Sequence, residues 1–352
     1  LNSKQTIRWS VDKLLATPGD DQKIGEAAKV LRAGGTVAFP TETVYGLGAN
    51  AYNEEAVRRI FKAKGRPVDN PLIVHISSEK QLYELASDLP DYAEALAEAF
   101  WPGALTLVVP HAGAVTAAVT AGLETVGIRM PEHPIALALI NAAGLPLAAP
   151  SANMSGRPSP TSGAHVWEDL NGKIDGLVDG GLAGVGVEST VVDCSGDKPV
   201  ILRPGGVTKE AIEALIGPIA IDPALKEATI QPKSPGVKYT HYAPKATLLL
   251  VDKQSISMED AVKAYQAEGK KVGLLLFEEN ETLQAMAAYS VICGNVNEPD
   301  KVASALFASL RAFDTQPVDI ILSETVSETG IGAAIMNRLT KAAGHQWYRV
   351  GE

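Results

Sequence analysis

The chain has 352 residues, 46% of them apolar, and a formal charge of −10. That length leaves room for two domains, each with its own core, and the acidic balance speaks against stable nucleic-acid binding, which needs a positive footprint on phosphate. Two cysteines, Cys194 and Cys293, lie far apart, and no C-x-x-C or His-rich pair has metal-ligand spacing. Both read as small buried hydrophobes of a reducing compartment.

The first twenty residues hold Lys4, Arg8, Asp12 and Lys13 and no long apolar stretch, so no signal peptide is expected. From residue 21 to 33, Ile24, Ala27, Ala28 and Leu31 share one helical face, and Gly34-Gly35 end the helix. A strand at 36–39 follows. Asn53 suits the N-cap of the next helix, Val57, Ile60 and Phe61 supply its buried stripe, and Gly65 suits its C-terminal cap. Then come a strand at 72–76, two helices to about Phe100, strands at 104–109 and 125–130, a helix at 134–143 and a strand at 146–149. Strands near 175–179, 189–193 and 199–202 and a helix near 208–215 complete a mixed α/β sheet without a strict βαβ rhythm.

From Gly217 to Pro244 five prolines interrupt the chain and no helix or strand period survives, which marks a linker or a lid. Beyond it, strands at 246–251, 271–277, 290–293 and 318–322 alternate with helices near 258–268, 281–288, 298–313 and 330–343. This is the βα alternation of a small Rossmann-like sheet. The predicted organisation is a domain over 1–217, a linker or lid over 218–244, and a second domain over 245–352. The longest apolar runs, such as Leu248–Val251, are of strand length and too short to span a bilayer; the expected location is the cytoplasm.

Several runs carry groups suited to chemistry. Pro40-Thr41-Glu42-Thr43-Val44-Tyr45-Gly46-Leu47-Gly48 follows the strand at 36–39 and reads as a strand exit bearing two hydroxyls, a carboxylate and a phenol. Ligand sites favour such exits, although a polar turn with structural glycines reads equally well. Lys64 lies near a buried helical stripe and wants an anion; Arg66, just past Gly65, is placed to fork onto phosphate, whereas Lys62 suits a helix C-terminus without any ligand. His75 sits in an apolar strand, where a satisfied core histidine is the commoner outcome. Arg129 in Gly127-Ile128-Arg129-Met130-Pro131 needs a partner, and a bound carboxylate would serve. Pro150-Ser151-Ala152-Asn153 offers either an anion nest or an ordinary turn. No phosphate loop, dinucleotide fingerprint or nucleophile elbow is present, so any nucleotide site is built from scattered cations and hydroxyls.

Taken together, PTETVYGLG (40–48), Lys64 and Arg66, NPLIVH (70–75), WPGALTLV (101–108), GIRMP (127–131), PSAN (150–153), ESTVVD (188–193) and LRPG (202–205) resemble the threonylcarbamoyl-AMP synthase family in order and spacing. The stretch Ser234–Pro244 and, more loosely, Gly330-Ile331-Gly332 and Asn337-Arg338-Leu339 resemble its two-domain branch. The resemblance implies a YrdC-like mixed twisted sheet plus a smaller Rossmann-like C-terminal domain. It also implies a reaction: L-threonine, bicarbonate and ATP give L-threonylcarbamoyl-adenylate and pyrophosphate, and a downstream transferase complex uses the product on tRNA. The resemblance assigns ATP to Lys64, Arg66, Asn70, Thr125, Ser151, Asn153, Ser159, Arg203, His241 and Tyr242, with Lys64, Arg66, Ser151 and Asn153 nearest the chemistry. It assigns threonine to Thr43, His75, Arg129, Ala149 and Ser189. Mg²⁺ is expected to travel with ATP, and no tightly bound organic cofactor is expected. Three other readings weigh less: an RNA-binding module, which the charge disfavours; a hydrogenase-maturation carbamoyltransferase, whose zinc-finger cysteines are missing; and a threonine or nucleotide sensor.

Overall fold

The computed structural model describes residues 5–225, 241–252 and 255–349. They form two compact units. The first takes the described residues of Leu1–Ser155 and Ser159–Lys238, and the second those of Gly156–Pro158 and Tyr239–Glu352.

The first unit is built on β1 (Ile7–Ser10), β2 (Val37–Phe39), β3 (Gly46–Asn50), β4 (Ile73–His75), β5 (Leu105–Pro110), β6 (Thr125–Arg129), β7 (Leu147–Ala148), β8 (Gly176–Asp179), β9 (Thr190–Asp193), β10 (Val200–Arg203) and β11 (Ala220–Ile221). They join into one mixed sheet in the order β1-β8-β2-β3-β7-β4-β6-β5-β9-β10-β11. The central strands are short and apolar because both faces are covered. Against one face pack the helices Asp20–Arg32 and Pro134–Ala143, whose Ile24, Leu31, Ile135 and Leu139 meet Trp9 and Phe39. The helix Glu54–Lys64 brings Val57, Ile60 and Phe61 into a second core with Leu47, Val74 and Ile128. Each such side chain contributes roughly 1.5–3 kcal/mol on full burial.

Local chemistry fixes the pieces that matter for the site. Asn53 caps the helix Glu54–Lys64, its Oδ1 accepting the Ala56 N–H at 3.0 Å. Gly65 ends that helix at φ 61°, a left-handed position that favours glycine. The cap therefore sets where Lys64 and Arg66 leave the helix.

Two expectations change. The run at 40–48 is a loop only as far as Tyr45, since Gly46 to Gly48 lie in β3, antiparallel to β2. A Cβ on Gly48 would fall 2.7 Å from the Phe39 ring, so this glycine admits a core aromatic rather than bending the chain. After Gly217 the chain is also not wholly irregular. Residues Ala220–Ile221 pair with β10 as β11, the Asp222 N–H donates to Ile201 O at 2.9 Å, and Pro223–Leu225 forms a 3₁₀ turn. Two residues are too few to show a strand period in sequence. Most of the linker expected at 218–244 lies outside the described residues.

The second unit carries a four-stranded, all-parallel sheet of β12 (Thr247–Leu250), β13 (Val272–Leu276), β14 (Tyr289–Ile292) and β15 (Ile320–Ser323), ordered β12-β15-β13-β14. Helices Met258–Ala267, Glu281–Met286, Pro299–Ala312 and Gly332–Ala342 alternate with the strands, as the sequence pattern predicts. Among the described residues no helix is long and apolar enough to cross a membrane.

Candidate active site

The 40–45 loop is braced by its own side chains. Thr41 Oγ1 lies 2.8 Å from Thr43 Oγ1, donates to Val44 O at 2.7 Å and accepts the Thr43 N–H at 3.2 Å. The Tyr45 hydroxyl donates to Gly181 O at 2.7 Å. Burial, reinforced by the Asp179 charge, pushes that phenol up and keeps it protonated. The loop meets the 150–152 turn along the backbone: Leu47 N–H donates to Pro150 O and Ala152 N–H to Tyr45 O, both at 2.8 Å. Gly46 and Ser151 form an antiparallel bridge.

Lys64 is buried, at 2% exposure, and its ammonium donates to the carbonyl oxygens of Ser151 at 2.5 Å and Asn153 at 2.6 Å. Its place in the sequence calls for an anion; carbonyl dipoles just past the end of β7 are among its partners. Ser151 Oγ in turn donates to Asn153 Oδ1 at 2.5 Å. Arg66 donates through Nη2 to Asn70 O at 3.3 Å and Pro71 O at 3.1 Å. The Asn70 side-chain amide is buried without a hydrogen-bond partner for Nδ2. Thr125, at the start of β6, lines a hollow with Pro71, Ile73, Val108, Leu123 and Val191.

Arg129 ends β6 beside His75 at the end of β4, and the two residues are paired in register. Its guanidinium spans three groups: Nε donates to Gly103 O at 3.1 Å, Nη1 to Thr43 Oγ1 at 2.9 Å, and Nη2 lies 2.5 Å from Glu42 Oε1. His75 is buried and its Nδ1 has no hydrogen-bond partner, so it is not the fully satisfied core histidine that its strand suggested. Burial, then the Arg129 charge, holds its pKa down at about 3. It is therefore neutral near pH 7. Ala149 donates its N–H to Ile73 O at 2.9 Å and is itself buried.

Ser189 sits just before β9. Its Oγ lies 2.8 Å from Thr106 Oγ1, and Arg203 donates to it from Nη2 at 3.2 Å while also forking Nε and Nη2 onto Ser189 O. Ser159 Oγ donates to Glu188 Oε1 at 2.6 Å. Thr190 N–H donates to Ala104 O at 2.9 Å, next to the Gly103 carbonyl that Arg129 uses. One connected set of contacts thus runs from Lys64 through Ser151 and the 40–45 loop to Thr43 and Arg129, and on through Gly103 and Ala104 to Ser189 and Arg203.

His241 and Tyr242 belong to the second unit. Tyr242 is buried there, with its ring 5.1 Å from Phe307 and 5.6 Å from His241, and the Arg338 guanidinium lies 5.7 Å from its centroid. Two further groups, to which the sequence assigns no role, lie in the first unit: Glu42, on Arg129, and His133, which feels the Glu42 charge. His133 precedes the helix Pro134–Ala143, is buried, and has no partner for either ring nitrogen. Burial lowers its pKa to about 4, against an opposing pull from Glu42. The acid inside the 40–48 run was the signal for Glu42; nothing in the sequence around His133 marks it. Among the described residues no cluster of three or more His, Cys, Asp or Glu is placed to hold a metal ion.

This arrangement defines a class: a twisted mixed sheet whose dispersed cations and hydroxyls, not a phosphate loop, form a polar centre for a small substrate. A family described as "Telomere recombination", which groups Sua5, YciO and YrdC proteins, matches residues 29–205, and "Threonylcarbamoyl-AMP synthase, C-terminal domain" matches 207–344. The chain is 53% identical over 341 residues to the threonylcarbamoyl-AMP synthase of Bacillus subtilis (strain 168), covering 97% of this chain and 98% of that one. It superposes on Pyrococcus abyssi Sua5 solved as a complex with L-threonine, with a TM-score of 0.91, 48% identity, and coverage of 98% of this chain and 100% of that one. It also superposes, with a TM-score of 0.91 and 47% identity, on a form of P. abyssi Sua5 in which a His–Tyr pair is replaced by alanines; the match covers 98% of each chain. The chain belongs to the threonylcarbamoyl-AMP synthase family, in its two-domain form.

Proposed function

We infer that this protein is a nucleotidyltransferase that joins L-threonine, bicarbonate and ATP into L-threonylcarbamoyl-adenylate and releases pyrophosphate. This is the first step in threonylcarbamoylation of tRNA. The observation that carries the inference is the connected network from Lys64 to Arg203, in a chain that matches threonine-bound Sua5 over 98% of its length.

In this reading Arg129 and Thr43, already bonded to each other, take the threonine carboxylate, with His75, Ala149 and Ser189 around the rest of the amino acid. A neutral His75 suits this place, since it adds no charge beside the guanidinium. Lys64, Arg66 and Arg203 offset the charge of the triphosphate, and Asn70, Thr125, Ser151, Asn153 and Ser159 hydrogen-bond the nucleotide. The unpartnered Asn70 amide supports its own assignment. The threonine amine first becomes a carbamate; a carbamate oxygen then attacks the α-phosphorus, and pyrophosphate leaves. Fixed donors at the phosphates stabilise the charge that develops. Carbamates are short-lived in water, so a shielded site matters, and His241 and Tyr242 are assigned to that shielding and to ATP. Mg²⁺, carried on the ATP phosphates, supplies further charge neutralisation. We place the enzyme in the cytoplasm, handing its product to a separate transferase complex; the two buried free cysteines suit that compartment.

The test is pyrophosphate release with ATP, threonine and bicarbonate, leaving out one component at a time. Release is expected only when all three are present. Equal release without threonine would overturn the assignment.

A further inference from the structure

Glu42 and Arg129 are close but incompletely paired. Their side chains are 12% and 5% exposed, and Oε1 and Nη2 are 2.5 Å apart. Oε1 rests on Nη2 as an ion pair that lacks the alignment of a hydrogen bond, and Oε2 accepts no hydrogen bond. Nε donates to Gly103 O and one Nη1 N–H to Thr43 Oγ1, so the second Nη1 N–H and the Nη2 pair are the donors a carboxylate would use. A buried carboxylate in charge contact but without a hydrogen bond keeps unused acceptor capacity, and leaving it unused is costly. The third group facing Glu42 is His133, neutral near pH 7 and unpartnered at both ring nitrogens. The place therefore offers one fixed cation and one fixed anion side by side. An α-amino acid carries the opposite pair, carboxylate and ammonium, one carbon apart.

We propose that Glu42 receives the α-ammonium of the amino-acid substrate and takes its first proton, while Arg129 takes the carboxylate. The proposal rests on the threonine reading of this site and adds to it the group that makes the amine nucleophilic. An ammonium has no lone pair and cannot attack carbon. When one of its N–H bonds breaks, the electron pair stays on nitrogen and the proton passes to a Glu42 oxygen. The neutral amine then attacks the carbon of bicarbonate. An N–C bond forms, a C–O bond breaks, and the hydroxyl leaves as water with a second nitrogen proton, so that the carbamate remains. Glu42 afterwards returns its proton to solvent. Alignment follows from the same geometry: with the carboxylate fixed on Arg129 and Thr43, the nitrogen comes to rest at Glu42.

The experiment is calorimetric binding to the full chain of L-threonine and of (2S,3R)-2,3-dihydroxybutanoate, which has a hydroxyl in place of the amine. Glu42→Gln keeps the shape and removes the charge. It is expected to lose about tenfold or more in affinity for L-threonine, the scale of a charged hydrogen bond, and to bind the hydroxy analogue as well as or better than the unaltered chain. Equal losses for both ligands would make Glu42 a brace for the loop and overturn the proposal. Equal gains would make it a plug on Arg129 and overturn it too. Failure of the unaltered chain to bind L-threonine would overturn the threonine reading itself, and the proposal with it. Should Glu42→Gln not fold, Glu42→Asp is measured instead. It keeps the charge at shorter reach and is expected to retain a reduced preference for L-threonine over the analogue; no preference would count against the role.

Discussion

His75 and His133 are neutral imidazoles enclosed in the first unit, and each makes stability depend on pH. The ordinary value is 6.5; burial lowers His75 to about 3, with Arg129 adding to the effect, and lowers His133 to about 4. Below pH 6.5 the unfolded chain binds protons that the native chain refuses, so stability falls as pH drops and is fully present above that value. Between pH 7 and pH 5 each group removes about 2 kcal/mol. His75→Gln is expected to flatten the pH dependence of urea unfolding over that interval by about the same amount. An unchanged slope would mean that the native site accepts a proton after all. The sequence showed the histidine in its strand but not this state. Neutrality at His75 comes from burial and from Arg129 across the β4–β6 register, and a single sequence does not print that pairing. For the same reason Arg129 was legible as a cation in want of a partner, while Glu42 as that partner was not. The two residues are 87 positions apart in the chain and meet only through the 40–45 loop.

At the scale of elements, capped and strongly periodic segments could be read directly. The helix that starts after Asn53 and stops at Gly65 follows its signals at both ends, and the helix Pro134–Ala143 falls on the predicted positions. Elements that depend on neighbours could not. The strand Ile7–Ser10 exists through its pairing with β8, and Gly163–Leu170 is a short helix whose cap, Ser162, hides among prolines and serines. The segment entering β12 shows how placement outweighs composition. Tyr242 adopts φ 66°, unusual for a bulky residue. Its ring is held by Phe307 and Arg338, while Ala243 N–H donates to Gly156 O at 2.9 Å and Lys245 N–H to Asp314 Oδ1 at 2.8 Å. Tyr242→Ala is expected to destabilise the second unit by about 3 kcal/mol, and Tyr242→Phe by less than about 1.5 kcal/mol. If the ring also shields the reaction, the alanine form consumes more ATP per adenylate made, measured as pyrophosphate against product. A destabilised chain with unchanged coupling would leave Tyr242 as packing alone.

At the scale of the whole molecule, the proposed roles divide unequally between the units. Thr43, His75, Arg129, Ala149 and Ser189 all lie in the first unit, which has its own sheet and buried clusters on both faces of that sheet. His241 and Tyr242 lie in the second, which has a separate core around Leu249, Leu274 and Leu322. A unit with a complete core is expected to fold alone. A chain ending at residue 225 should therefore melt cooperatively, with Trp9, Trp101 and Trp167 as internal fluorescent reporters, and bind L-threonine within about threefold of the full chain, a difference below about 1 kcal/mol. It should nevertheless lose adenylate formation, because the residues assigned to cover the carbamate and the nucleotide are gone. Threonine binding that vanished on truncation would move part of the amino-acid site into the second unit. Full adenylate synthesis by the truncated chain would instead remove His241 and Tyr242 from the chemistry.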